Sequence, residues 1–257
     1  MIDFKNAFSL ENRVALVVGA GGLGAPIASA LMQNGADLAM ADIAPENLHS
    51  VQQEAVVCKK IFLGLKVDLT DETSISEMVQ HAHREMGRID ILVNAAGINI
   101  LKKAEEYEGA SWDKVLGINL RGLHLTTSAV GRIMIQQHYG RILSISSVKA
   151  FLGTEQNYCA YCASKAAVNG YTRQIACEWG KYGITCNAIA PTFTRTPINS
   201  FQLDDPSFYE NLVRRIPLGR ICTAKDLGCA AVFLCSDAAE FITGQTLCVD
   251  GGITAKQ

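Results

Sequence analysis

The chain has 257 residues, 49% hydrophobic and 19% charged, a balance that suits one folded domain and excludes a disordered one. The formal net charge is −2, and no basic stretch forms a nucleic-acid footprint. No apolar run approaches a membrane span, and MIDFKNAFSL lacks the basic start and apolar core of a signal peptide, so the expected setting is cytosolic, without a membrane partner.

Short apolar runs alternate with longer amphipathic ones along the chain. Strands are predicted over 14–20, 37–42, 61–68, 91–97, 141–147, 184–191 and 246–252. They are apolar almost throughout rather than alternating, as parallel strands covered on both faces are. Helices are predicted over 23–34, 45–58, 73–86, 112–137, 158–181 and 224–235, with Pro26 tolerated in the first turn of the first. The expectation is α/β: a single doubly wound Rossmann-type domain over 1–257, with a parallel seven-stranded sheet and helices on both faces. The stretch 192–219 breaks the rhythm. It is polar and aromatic, has Asp205-Pro206 placed to start a short helix, and reads as a substrate loop or lid.

In LVVGAGGLGAP (16–26), Gly19, Gly21 and Gly24 fit G-x-G-x-x-G, after a predicted strand and at the start of a predicted helix. Such glycines let backbone approach a pyrophosphate, and the helix N-terminus supplies free N–H groups. Asp42 ends the next strand, where a carboxylate accepts from a ribose 2′-OH and repels a 2′-phosphate. No Arg or Lys stands in the loop or just after Asp42. The cofactor expected from these residues is NAD rather than NADP.

SISSVKAFLGTEQNYCAYCASKAAVNG places Tyr161 and Lys165 four apart on a predicted helix, hence on one face. A free phenol titrates near 10, too high for efficient proton transfer at neutral pH, and a nearby ammonium is expected to lower it. Ser147 ends the preceding strand at the ligand-binding edge and can hold a substrate oxygen; Ser146 is its rival.

With this company the chain resembles the short-chain dehydrogenase/reductase family over roughly residues 10–254. The resemblance rests on NAAG at 94–97, Asn119 in INLRG, Asp68-Leu69, Pro191 with Thr196, and ITGQTLCVDGG, together with Ser147, Tyr161 and Lys165. It implies hydride transfer between a secondary alcohol or ketone and a nicotinamide. Tyr161 is then the general acid/base, Lys165 its modulator and ribose contact, Ser147 the substrate-orienting hydroxyl, and Asn119 the holder of a relay water. The implied cofactor contacts are Gly19, Gly22, Leu23, Gly24, Asp42, Ile43, Asp68, Leu69, Asn94, Ala95, Gly97, Tyr161, Lys165, Pro191, Thr194 and Thr196. The resemblance also implies a homotetramer.

Three departures stand out. The family loop is Thr-Gly-x-x-x-Gly-x-Gly; here Val18 replaces Thr and one residue is missing, so that Gly22 and Gly24 take the last two glycine places. Ser147 and Tyr161 are one residue further apart than usual. Thr192 replaces a glycine, and a β-branched residue suits positive φ poorly.

Candidate substrate-edge residues are Asn99, Lys149, Glu155, Gln156, Asn157, Phe193 and Arg195, suiting a hydroxylated and anionic small molecule. The chain also looks like the sugar and sugar-acid dehydrogenases of the family, such as the gluconate 5-dehydrogenase group. Alternatives are a 3-oxoacyl reductase, a hydroxysteroid dehydrogenase and a catalytically silent NAD-binding sensor. Nine cysteines read as a reduced set; Cys159 and Cys162 flank Tyr161, but no second C-x-x-C completes a zinc site, and no metal is expected. His81 and His83 read as solvated, His124 as a packing or interface residue.

Overall fold

The computed structural model describes residues 6–196 and 200–256. Seven strands form one parallel sheet: β1 (Val14–Val18), β2 (Asp37–Asp42), β3 (Phe62–Lys66), β4 (Ile91–Asn94), β5 (Gly140–Ile145), β6 (Ile184–Pro191) and β7 (Thr246–Val249). Their spatial order is β3-β2-β1-β4-β5-β6-β7. The order reverses between β1 and β4, and a crevice opens there at the carboxyl ends of the strands.

The helices are α1 (Gly24–Gln33), α2 (His49–Cys58), α3 (Glu72–Met86), α4 (Gly109–Leu116), α5 (Leu123–Gln137), α6 (Cys159–Trp179), α7 (Ser200–Leu203), α8 (Pro206–Arg215) and α9 (Ala224–Cys235). Their ends follow local chemistry. Asp71 caps α3 by accepting from Thr73 N–H, and Gly87 ends it with φ +76°. Asp205 accepts from the N–H groups of Ser207 and Phe208, with Pro206 in the first turn of α8. Thr223 and Asp226 form a capping box on α9.

Alternate strand residues feed two cores. Ala15, Val17, Leu38, Met40, Ile91 and Val93 face α1, α2 and α9. Leu16, Val18, Ala39, Ala41, Leu92 and Ile142 face α3, α5 and α6. Both faces are covered, and this is why the strands read as unbroken apolar runs. A third cluster joins Val148, Leu203, Leu212, Ile216 and Ile253.

Several predicted elements differ. The strands expected to 20, 68, 97, 147 and 252 stop at Val18, Lys66, Asn94, Ile145 and Val249; residues 95–97 and 146–147 leave the sheet to line the crevice, while 250–252 form a turn in which Asp250 accepts from Gly252 N–H. Residues 45–48 form a separate 3-10 turn. The helix expected over 112–137 is two α segments joined by a π turn, Gly117–Gly122, which carries Asn119. Of the substrate loop expected over 192–219, residues 197–199 lie outside the described residues, and α7 and α8 account for much of the rest.

Candidate active site

A cleft of about 680 Å³ follows the carboxyl edge of the sheet from the glycine loop to Tyr161. Its first wall is the turn from β1 into α1. Gly19 has φ +99°, and a Cβ there would lie 2.5 Å from Ala96 N. A Cβ on Gly24 would lie 1.7 Å from Gly19 O. Gly22 has φ +59° and packs toward Thr196, whereas a Cβ on Gly21 would meet nothing within 4 Å. The backbone thus demands glycine at Gly19, Gly22 and Gly24, whereas Gly21 meets no such local demand and lines the cleft. No side chain caps α1 and no acid stands in its first turn, so its N–H groups are left for an anion.

Asp42 is buried at the end of β2 and lines the cleft. It accepts from Ala20 N–H at 2.7 Å, Ala44 N–H at 2.9 Å and Asn47 Nδ2 at 3.1 Å. It thus braces the glycine loop from the next strand while one face borders the cleft. Ile43 beside it is exposed. Asp68 holds its own turn, accepting from Thr70 N–H and Oγ1, and these bonds lower its carboxyl pKa.

The far wall carries the titratable groups. Lys165 is buried, and its Nζ donates to Ile145 O at 2.6 Å. The same Nζ lies 5.6 Å from the Tyr161 ring centroid. Burial pushes the Lys165 ammonium down to about 8. Burial likewise pushes the Tyr161 phenol up to about 12, with a hydrogen bond to Ser147 opposing it. The expectation that Lys165 leaves Tyr161 below its ordinary value is corrected: the cost of desolvating a phenolate wins, and Tyr161 holds its proton at neutral pH.

Ser147 Oγ accepts from Lys149 N–H at 3.1 Å, which fixes the hydroxyl at the start of a short turn, Val148–Ala150. Ser146 Oγ donates instead to Asn169 Oδ1 at 2.7 Å and to Lys165 O at 3.3 Å. The two serines thus separate, Ser147 toward Tyr161 and Ser146 into α6.

Most expected cofactor residues line this cleft: Gly19, Gly22, Leu23, Asp42, Ile43, Asp68, Leu69, Ala95, Gly97, Tyr161, Lys165, Pro191, Thr194 and Thr196. Gly24 lies behind the wall, in contact with Gly19. Asn94 stands off the wall: its side chain donates to Thr127 Oγ1 at 3.0 Å and ties β4 to α5. Asn119 is also off the wall. Its Oδ1 accepts from Ile98 N–H at 2.8 Å, and its Nδ2 donates to Ile98 O at 2.9 Å and Ser164 Oγ at 3.1 Å. These bonds fasten the chain after β4, and a π turn presents the side chain that makes them.

Thr192 is not among the positive-φ residues, so the expected strain does not arise there; it is buried on the cleft wall. Asn99, Lys149 and Phe193 line the cleft as expected. Glu155, Gln156 and Asn157 are exposed away from it, and Arg195 pairs with Asp204 at 2.6 Å. Tyr158, Ile118 and Phe201 complete the wall without having been anticipated. Tyr158 stands at the N-cap of α6, three residues before Tyr161, its ring centroid 5.9 Å away.

Outside the cleft, His81 and His83 are solvated. His124 contacts the Tyr171 hydroxyl at 3.1 Å between α5 and α6. All nine cysteines are free. Among the described residues no cluster is fit to hold a metal and no helix is long and apolar enough to cross a membrane.

Comparison with known proteins decides the lineage. Residues 18–254 match the family model described as enoyl-(acyl carrier protein) reductase. The chain is 39% identical to D-threitol dehydrogenase of Mycolicibacterium smegmatis over 256 residues, covering 99% of this chain and 97% of that one. The chain belongs to the short-chain dehydrogenase/reductase family. Within this short-chain dehydrogenase/reductase family it is also 39% identical to 2-dehydro-3-deoxy-D-gluconate 5-dehydrogenase of Bacillus subtilis, over 96% of each chain. A gluconate 5-dehydrogenase from Burkholderia cenocepacia, solved in complex with NADP and tartrate, superposes with a TM-score of 0.93 at 32% identity, covering 98% of this chain and 99% of that one. As a short-chain dehydrogenase/reductase with such relatives, the chain is an alcohol–ketone oxidoreductase that uses a nicotinamide cofactor on a small molecule.

Proposed function

We propose that this protein is an NAD-linked dehydrogenase that interconverts a secondary alcohol and a ketone on a sugar, polyol or sugar acid. The observation that carries the reading is the single cleft with Asp42 at one end and Tyr161, Ser147 and Lys165 at the other. The cleft fits a dinucleotide: its glycine turn is too tight for any Cβ at Gly19 or Gly24, and the α1 N-terminus is uncapped. Gly19, Gly22 and Leu23 would hold the pyrophosphate, Asp42 the adenosine ribose, and Lys165 with Tyr161 the second ribose. When bound, the nicotinamide supplies or accepts the hydride, and its oxidised ring brings a positive charge.

In the reducing direction, Tyr161 donates its phenolic proton to the carbonyl oxygen as negative charge develops there. Ser147 Oγ, held by Lys149 N–H, directs its own O–H at the same oxygen. Lys165 places a cation behind the phenol and favours the phenolate that results. Asn119 acts as a positioning residue through Ile98. The buried carboxylate of Asp42 meets a ribose 2′-OH favourably and a 2′-phosphate unfavourably, which supports NAD over NADP. The NADP in the Burkholderia cenocepacia structure makes NADP the second reading. The reading extends to residues 192–219 as a lid, to a homotetramer, and to the cytosol.

The test is a panel of sugar acids, polyols, hydroxysteroids and 3-oxoacyl thioesters, each with NAD(H) and NADP(H). Turnover of hydroxylated substrates with NAD(H) is expected. Preference for NADPH and thioesters moves the assignment to a 3-oxoacyl reductase. NADH binding without turnover of any member leaves only a sensor.

A further inference from the structure

Lys149 is a half-buried cation on the cleft wall without an anionic partner. Every ion pair between described residues lies elsewhere. The lysine stands two residues after Ser147, and its N–H is bonded to the Ser147 hydroxyl, so its position relative to the reacting oxygen is fixed by one short turn. Its ammonium lies 5.2 Å from the Tyr158 ring centroid. Apolar side chains, Leu101, Phe193 and Phe201, share the wall, and weak screening there strengthens any charge interaction.

A second cation adds to this. Arg215 ends α8 and also has no carboxylate partner among the described residues. Its neighbour Ile216 packs in the cluster that contains Val148. Burial lowers the Lys149 pKa, the nearby Cys162 thiol opposes this, and the Arg215 charge lowers it again. Arg215 is exposed and Lys149 half-buried, so the lysine bears the desolvation cost, one that an anion arriving from outside offsets.

We propose that Lys149, with Arg215 beside it, receives a carboxylate on the substrate, so that the enzyme selects a polyhydroxy acid over the neutral polyol of the same length. This deepens the oxidoreductase reading and rests on it. The relatives include both acid and polyol dehydrogenases and do not decide between them.

The experiment is calorimetric titration of the enzyme with NADH present, using D-gluconate, D-glucitol, L-threonate, L-threitol and D-glucitol 6-phosphate. Wild type is expected to bind at least one acid about tenfold tighter than its polyol, and Lys149→Met to remove that gap, as befits a lost charge-assisted contact. Arg215→Gln narrows the gap, and Lys149→Arg retains it. The acid-to-polyol ratio of kcat/KM falls in parallel, through KM. Equal binding of acid and polyol by wild type overturns the proposal, as does a gap that survives in folded Lys149→Met. Binding of the phosphate alone overturns the carboxylate assignment. If nothing turns over while NADH binds, the oxidoreductase reading fails, yet the titration still reads the anion site.

Discussion

The ammonium of Lys165 is held by the carbonyl oxygen of Ile145, 2.6 Å away, and not by any carboxylate. A carbonyl compensates a buried charge only in part, and burial brings Lys165 from 10.5 down to about 8. Between these values the unfolded chain binds more protons than the folded one, so stability rises with pH across that window. Tyr161, raised from 10 to about 12, works the opposite way: above about pH 10 the unfolded chain loses its proton first and stability falls. In denaturant melts from about pH 8 to about pH 10 the stability of wild type minus that of Lys165→Met is expected to rise, while the buried thiols Cys186 and Cys235, raised from 9 to about 12, pull both proteins down alike. Parallel curves for the two proteins contradict the account.

Tyr161→Phe removes the transferable proton while keeping the ring. Turnover is expected to fall by about a thousandfold or more. NADH affinity, read by fluorescence titration, stays within about threefold because the glycine loop and Asp42 are untouched. Substantial residual turnover sinks the role given to this residue.

Ser146 and Ser147 make a paired test. Ser147→Ala is expected to cost about a hundredfold or more in kcat. Ser146→Ala loses the bond to Asn169 and should lower stability by about 1 kcal/mol or more, with the pH profile of turnover unmoved. A reversed pattern would assign chemistry to the wrong strand-end serine.

The glycines separate likewise. Gly21→Ala adds a methyl on the cleft wall that meets no protein atom, and the variant is expected to fold as wild type does. Gly24→Ala drives a methyl into Gly19 O and should abolish NADH binding or folding. Equal behaviour of the two variants contradicts this division.

Asp42→Ala is expected to narrow the ratio of kcat/KM for NAD over NADP about tenfold or more. It also releases three hydrogen-bond donors, Ala20 N, Ala44 N and Asn47 Nδ2, so a lower Tm accompanies the change. An unchanged cofactor ratio in a folded variant falsifies the selectivity argument.

Much of this was legible in the sequence because burial on both sheet faces writes itself as unbroken apolar runs. VALVV and ITCNAIAP needed no alignment to be read as strands. Asp42, Tyr161 and Lys165 were legible because strand ends and helical spacing fix which way such residues face. Gly22 was harder, since two registers of the same glycines differ only in φ. Gln156, Asn157 and Arg195 stand off the cleft wall for another reason. Polarity on a loop does not say which side of the loop meets the cleft, and Arg195 is engaged by Asp204. The π turn at Asn119 was invisible because one extra residue in a turn leaves the apolar pattern of a long helix intact. Tyr161 misled in its pKa alone, because the depth of burial that raises it is a tertiary property.

The small cluster of Val148, Leu203, Leu212, Ile216 and Ile253 lies apart from the two cores that sandwich the sheet. It ties α7, α8 and the C-terminal segment to the turn that begins with Ser147. Such a satellite cluster is expected to open at lower free energy than the sheet, and Ser147, at the start of the turn it packs against, would then move with it. Hydrogen exchange is the check: Lys149 N–H, bonded to Ser147 Oγ, is expected to exchange faster than the strand amides of β5, and equal protection of the two contradicts it.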